Sequence, residues 1–166
     1  MTAPRIHVAR FHELTPAILY DIMKLRQDVF VIEQDCVYDD LDGRDTEESA
    51  RHLWIERHGA VVSALRLLRD SDGAHRIGRI VTRGDHRSQG LAALLVTHAM
   101  QISGRPLVLS AQSHLSPWYE RFGFAVSGDS WVEANIEHVP MRLSNDDVND
   151  AIDDGDDPPR RAPVEL

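Results

Sequence analysis

Residues 76–96 read RIGRIVTRGDHRSQGLAALLV, and within them the apolar pattern changes period. HRIGRIVT is a β-rich run. From Gln89 onward Leu91, Leu94, Leu95, His98, Ala99 and Ile102 recur at steps of three and four, which is one stripe of a helix. A strand that feeds a glycine-containing loop and then a helix N-terminus presents backbone N–H groups with no helical partner, and the helix macrodipole adds partial positive charge there. The join Arg87-Ser88-Gln89-Gly90-Leu91-Ala92 would therefore hold an anion. Gly90 and Ala92 leave room for a diphosphate to touch the main chain, and Arg87 can add a charged hydrogen bond. The pattern is neither GxxxxGK[ST] nor GxGxxG, so neither a P-loop nor a Rossmann site is supported. Arginine followed three residues later by glycine is, taken alone, also what an ordinary helix start with a tight turn looks like. The flanking sequence has to decide.

Upstream, HLWIE (52–56) and AVVSALRLL (60–68) are β-rich runs around Arg57-His58-Gly59, and a second turn at Asp70-Ser71-Asp72-Gly73 leads into HRIGRIVT. The economical arrangement is three adjacent antiparallel strands. Further back, residues 5–11 predict a short strand. Thr15-Pro16 reads as an N-cap with proline at the first helical position. Leu14, Ile18, Ile22, Leu25 and Val29 then mark one face of a helix running to about Ile32. Residues 33–49 show no period and predict a loop. Downstream, Gly104 and Pro106 stop the second helix. PLVLSAQ predicts a strand buried on both faces, and SPWYERF a short helix. A turn at Gly123, a strand from Phe124 and a last strand at HVPMRL follow. The order β-α-β-β-β-α-β-α-β-β specifies an α/β fold built on a mixed sheet.

The chain has 166 residues, 42% of them hydrophobic, with 18 basic and 27 acidic side chains and a formal net charge of -9. That is one domain's worth of core. Its single cysteine, Cys36, excludes an internal disulfide and a multi-thiolate metal site. Residues 145–166 hold eight carboxylates against Arg160 and Arg161 with few apolar side chains. The division is thus a folded domain at 1–144 and an acidic, disordered tail at 145–166. With no basic excess, nucleic acid is not a partner. With no apolar run near the ~20 residues of a membrane helix and no secretory signal, the sequence predicts a soluble cytoplasmic protein that does not engage membranes.

Several motifs occur here in one order. RIGRIVTRGDHRSQGLAALLV resembles the acetyl-CoA-binding strand, loop and helix of the GNAT acetyltransferase superfamily, and SAQSHLSPWYERFGF resembles its second motif. LYDIMKLRQDVFVIEQDCVYDDLDGRD, with RIGRIV, AQSHL, WYERFGF and IEHVPM, resembles the ElaA-type branch. The resemblance spans residues 12–143. It implies a GNAT-like fold whose central strands splay apart, with the pantetheine arm of acetyl-CoA pairing against the backbone of Ile80, Val81 and Thr82. The diphosphate would then lie on Arg87, Ser88, Gln89, Gly90, Leu91 and Ala92. It also implies direct acetyl transfer to a primary amine of a small molecule or peptide, with no metal, and it leaves room for a homodimer.

By position Tyr119 matches the tyrosine that protonates the departing coenzyme A thiolate, a role suited to a phenol that stays protonated at neutral pH. Glu33 matches a family glutamate facing the acceptor side. His138 and His114 lie in matching segments and titrate near neutrality, so either could take a proton. Glu33, His114 and Glu133 are the expected acceptor contacts, and Glu33 and His138 the candidate bases. No HExxH or other ligand spacing points to a metal. Cys36 has no sequence-evident activating base. The carboxylates of the 33–49 loop read equally as a steering field for a cationic amine and as a solvated surface loop. Where ElaA-type sequences read Glu-Asp-Gly-Ile-Pro-His, this one has Glu133-Ala134-Asn135-Ile136-Glu137-His138, which changes the charge and the turn geometry. Two other readings stand beside transfer to an amine. One is a non-catalytic acyl-CoA sensor. The other is an acyl-homoserine-lactone-synthase-like acyltransferase, suggested by LRQDVFVIEQ and DLDGRD.

Overall fold

In the strand Arg51–Arg57, Leu53 and Ile55 join one apolar cluster and Trp54 the opposite one, as alternation across a pleated strand requires. The same alternation runs through the longer strands and makes the sheet the middle of three layers. The computed structural model describes residues 4–144, so the tail expected at 145–166 lies outside the described residues. In chain order the strands are β1 (Ile6–Ala9), β2 (Arg51–Arg57), β3 (Ala60–Arg69), β4 (His75–Thr82), β5 (Leu107–Gln112), β6 (Ala125–Val126), β7 (Trp131–Glu133) and β8 (Ile136–Leu143). The helices are α1 (Pro16–Arg26), α2 (Leu91–Ile102) and α3 (Ser116–Glu120). The sheet order is β1-β2-β3-β4-β5-β8-β6, with β7 on β8. Every neighbouring pair is antiparallel except β4 and β5.

Helices α2 and α3 cover one face, through Leu91, Leu95, Val96, Trp118 and Tyr119 packed on Ile77, Ile80, Leu107 and Leu109. Helix α1 covers the other, where Ile22, Leu25, Val29 and Phe30 meet Trp54, Val61, Ala64 and Val81. Both faces are therefore apolar, and the strands read as near-continuous hydrophobic runs. Thr15 caps α1 by accepting from the Ile18 N–H at 3.3 Å with Pro16 just inside, a cap worth about 1 kcal/mol. The His58-Gly59 turn between β2 and β3 has positive φ at both residues, 51° and 77°, the primed geometry that matches strand twist. Among the described residues no helix is long and apolar enough to cross a membrane.

Three local readings shift. The helix predicted to about Ile32 is α-helical only to Arg26; residues Gln27–Glu33 continue it in π geometry, with the Gln34 N–H reaching the Val29 carbonyl at 3.1 Å. The buried stripe of α2 is Leu91, Ala92, Leu95, Val96 and Ala99, while Leu94 and Ile102 are exposed. LAALLV is apolar nearly all round, so its period could not choose the inward side. Strand β7 adds one element to the predicted order. It forms a two-residue hairpin with β8 through Ala134 (φ 47°) and Asn135 (φ 63°).

Candidate functional site

Strands β4 and β5 pair in parallel at His75 with Leu107 and Arg76 with Val108, and nowhere beyond. From Ile77 to Thr82 the β5-facing edge of β4 carries no strand among the described residues, so its backbone groups border a wedge that opens toward the loop after Thr82. The expectation that Ile80, Val81 and Thr82 line such an opening meets buried residues at all three positions. A bulge lies in β4 where it pairs with β3: Ala64 pairs with Val81 but Arg66 with Gly78, so β4 holds one residue more than β3 between them. Arg79 takes φ 55° there, a left-handed backbone that costs a non-glycine residue roughly 1 kcal/mol or more.

The loop at the mouth of the wedge ends in two left-handed residues, Ser88 (φ 58°) and Gly90 (φ 72°), and Gly90 caps α2. The first helical bond is from the Leu94 N–H to the Gly90 carbonyl at 3.0 Å. The amides of Leu91, Ala92 and Ala93 precede it and point outward from the helix start, as at every helix N-terminus. Nothing stands within 4 Å of where a Cβ on Gly90 would be. An open backbone cradle at a helix N-terminus, beside a strand edge with no partner, fits a diphosphate followed by an amide-containing arm.

Alternation places the remaining candidates on opposite sides of the sheet. Tyr119 is fully buried in α3 among Trp118 and Phe124, with ring centroids 4.8 and 6.3 Å away, edge-on to both. It belongs to the α2/α3 face. In β5 and β8 the residues on that face are Leu107, Leu109, Ala111, Met141 and Leu143. Ser110, Gln112 and His138 therefore occupy the other face, and Gln112 is paired with His138. His138 is fully buried, stacks on Trp131 at 5.7 Å, and its Nδ1 donates to the Ile136 carbonyl at 2.9 Å. That bond fixes the tautomer in which Nε2 is the proton-accepting nitrogen. His114 and Glu133 are both exposed. Glu133 accepts from Trp131 Nε1 at 3.4 Å and lies close enough to raise the Cys36 thiol, whose pKa burial pushes up first. Cys36 is buried and held protonated, unlike a reactive thiol.

Glu33 and Arg87, 54 residues apart, meet directly. Arg87 donates from Nη1 and Nη2 to the two Glu33 oxygens at 2.7 and 2.8 Å, and from Nε to the Thr82 carbonyl at 3.1 Å. The π turn at the end of the first helix places Glu33 there. Sequence reasoning named both residues for separate tasks and could not pair them.

The acidic loop is not uniformly a solvated surface: Asp40 and Asp45 are buried and Asp42 is ion-paired with buried arginines, while Asp35, Asp39 and Glu48 are exposed. Arg26, 1% exposed, bonds Asp40 at 2.9 Å and Asp45 at 2.7 Å. Arg66 grips both oxygens of Asp42 at 2.8 and 2.7 Å, and Arg79 reaches Asp40 at 2.9 Å and Asp42 at 3.2 Å. Tyr38 donates to Asp40 at 2.7 Å and lies under the Arg79 guanidinium. Burial pushes the Asp42 and Asp45 carboxyls up, but the bonds from Arg66 and Arg26 outweigh it and hold both below the usual range. Arg66, Arg76, Arg79, Ser110 and Gln112 were not singled out from the sequence. The available signal was arginine inside apolar strand runs (SALRLL, IGRIV), a residue type seldom buried without a partner.

At the point where β4 and β5 part there is a cavity of about 320 Å3, bordered by Gly78 and Ser110 of the two strands and by arginines of β3 and β4. Among the described residues no three His, Cys, Asp or Glu side chains come together as a metal site.

Comparison with known proteins agrees with this geometry. The sequence profile of the Acetyltransferase (GNAT) domain matches residues 23–145. A UPF0039 protein of Mycobacterium tuberculosis is 40% identical over 134 residues, 78% of this chain and 86% of that protein. Protein ElaA of Escherichia coli is 31% identical over 136 residues, 78% of this chain and 89% of ElaA. Among solved structures, an acyl-CoA N-acyltransferase from Pseudomonas aeruginosa superposes with a TM-score of 0.81 at 36% identity, covering 86% of this chain and 100% of that one. The crystal structure of Escherichia coli ElaA superposes with a TM-score of 0.78 at 29% identity, covering 83% and 98%.

Proposed function

The chain belongs to the GNAT acetyltransferase family, in its ElaA-type branch, and from that premise we propose that it transfers an acetyl group from acetyl-CoA to a primary amine by direct attack. The observation that carries the reading is the wedge: a strand edge without a partner among the described residues leads from the helix N-terminal cradle at Gly90 to the cavity at Gly78 and Ser110. The arm of the donor completes β4 as an added strand through Ile80, Val81 and Thr82. Backbone amides at residues 87–92 take the diphosphate. The guanidinium of Arg87, already engaged by Glu33 and the Thr82 carbonyl, contributes less than the amides do.

In the reaction the amine nitrogen bonds to the thioester carbonyl carbon, the carbon–sulfur bond breaks, one proton leaves nitrogen and one joins the thiolate. Tyr119 on the α2/α3 face supplies the thiolate's proton. His138, through Nε2 on the opposite face, takes the amine's proton. Acid and base thus work from the two sides of the sheet, with the thioester held in the opening between them. Glu33, with both oxygens on Arg87, serves as a brace between the end of the first helix and the diphosphate loop. The polar, arginine-bordered end of the wedge supports a short acyl group over a long aliphatic one.

Calorimetric titration of acetyl-CoA and CoA tests the donor half. Wild type binds both, Gly90→Glu abolishes binding by filling the cradle with a like charge, and Arg87→Gln weakens it by less than about tenfold, a loss on the scale of one hydrogen bond. Release of free CoA across a panel of amines tests transfer. Binding with no release from any amine would instead favour a sensor.

A further inference from the structure

The cavity at the parting of β4 and β5 presents more donors than acceptors. Four arginines border it, Arg44, Arg66, Arg76 and Arg79, against two carboxylates, Asp42 and Asp70. Arg66 and Arg79 are pinned: both are almost fully buried and both bond Asp42. Arg76 is different. It is about one-third exposed, and its Nε donates to Asp70 Oδ2 at 2.8 Å. Neither of its terminal amino groups makes a hydrogen bond to any described residue. Ser110, across the opening on β5, is half-buried, and its hydroxyl has no hydrogen-bond partner among the described residues. Arg76 is the last β4 residue paired with β5, and Ser110 lies two residues beyond that pair's Val108. The unengaged donors therefore sit at the apex of the wedge, the end toward which a donor arm running from Gly90 along Thr82, Val81 and Ile80 would point.

A fork of N–H groups lining the same cavity as a hydroxyl is a site for an oxyanion with two coplanar oxygens. The charges of Arg44, Arg66 and Arg79 are met by Asp40, Asp42, Asp45, Glu47 and Asp70, so the donors open to a ligand are the terminal amino groups of Arg76. Resting on the acetyl-transfer reading, we infer that the acceptor is an amine that also carries a carboxylate, an amino acid in class, with the carboxylate seated on Arg76 and Ser110. The volume suits such a ligand, being at the small end of ligand pockets. Ser110 lies on the same face as Gln112 and His138, two residues along β5 from the pair they form. An acceptor held by its carboxylate at the apex therefore has its amine on the side where Nε2 of His138 takes the proton. Arg76 is then a specificity-determining residue that touches substrate but takes no part in the proton transfers.

The experiment measures CoA release from acetyl-CoA with the common amino acids, their amides, the matching decarboxylated amines and phosphoethanolamine. It uses wild type, Arg76→Gln, Arg76→Lys and Ser110→Ala, with CoA affinity measured in each as a check on folding and on the donor site. The expected result is that at least one amino acid is turned over with kcat/KM at least tenfold above its amide and its amine. Arg76→Gln raises the KM for that acid about tenfold with kcat and CoA affinity retained. Arg76→Lys recovers part of the loss, and Ser110→Ala shows a smaller rise. Equal use of amide and acid, preference for phosphoethanolamine, an Arg76→Gln enzyme with unchanged KM, or transfer to no member of the panel by a protein that binds CoA would overturn the acceptor assignment and leave the donor site standing. Failure of wild type to bind CoA would overturn the donor reading itself.

Discussion

Tyr119 is a phenol enclosed by Trp118 and Phe124 at zero exposure, so replacing it by phenylalanine preserves the packing and removes only the hydroxyl. If that hydroxyl protonates the thiolate, Tyr119→Phe lowers kcat by about 10²-fold or more, as for loss of a general acid, while the Kd for CoA measured by calorimetry stays put. Unchanged kcat would remove Tyr119 from the reaction. At this scale the sequence was legible wherever local structure follows from consecutive residues. The loop from Arg87 to Ala92 could be read because strand, glycine and helix start adjoin in the chain. The Glu33–Arg87 pair could not, since 54 residues separate its members and only the π turn brings them together. Arg66 and Arg79 were hidden for a related reason: their carboxylate partners sit in a loop with no period, where nothing local says which side chains turn inward.

Among the elements, the hairpin between β7 and β8 carries the clearest strain. Ala134 stands at φ 47° in a turn that needs left-handed residues at both central positions, and alanine pays about 1–2 kcal/mol there. Ala134→Gly should raise the stability to urea by up to about 1 kcal/mol, after allowance for glycine's greater chain entropy in the unfolded state. A loss of stability would mean that the turn relaxes in solution. The same hairpin shows why one strand went unpredicted: Trp131–Glu133 is a short, exposed element whose only partner among the described residues is β8, so it carries no alternation to read. The longer strands and α1 were legible through period and caps. Helix α2 was legible as a helix, but its orientation was not, because uniform apolarity leaves the choice of inward face to the sheet it packs on. The bulge at Arg79 was equally invisible. It shifts β4 by one residue midway, putting Gly78 and Arg79 on the α1 side before alternation resumes at Ile80.

Taken as a whole, the molecule ties the loop at residues 33–49 to its sheet by buried charge, and this sets how stability responds to pH. His52 donates from Nε2 to the Asp45 carbonyl at 3.1 Å and is almost fully buried. Burial holds its pKa below the ordinary 6.5. The folded state therefore binds fewer protons than the unfolded one as pH falls below that value, and stability declines. Asp42 and Asp45, held below their usual range by Arg66 and Arg26, contribute stability fully present above about pH 4 and lost as pH falls further. Urea midpoints measured from pH 8 to pH 3 should thus be flat at the top, sag below about 6.5 and collapse below about 4. A midpoint that rises on acidification would refute this account. The collapse is steep because Asp42 and Asp45 both take up protons over this range when the chain unfolds. The fold class was readable from the order of elements, whereas this charge network was not, since it joins α1, the loop, β3 and β4 in three dimensions. The parting of β4 from β5 has one further consequence. Most sheets have two edges, and each is a place where a foreign strand can add. Among the described residues this one has further edges inside the molecule where β4 and β5 part, one of them along Ile77 to Thr82. A thioester carrier with amide groups of its own would satisfy that edge without another polypeptide. On the proposed reading of the wedge, such a carrier would therefore also act as its gatekeeper against self-association.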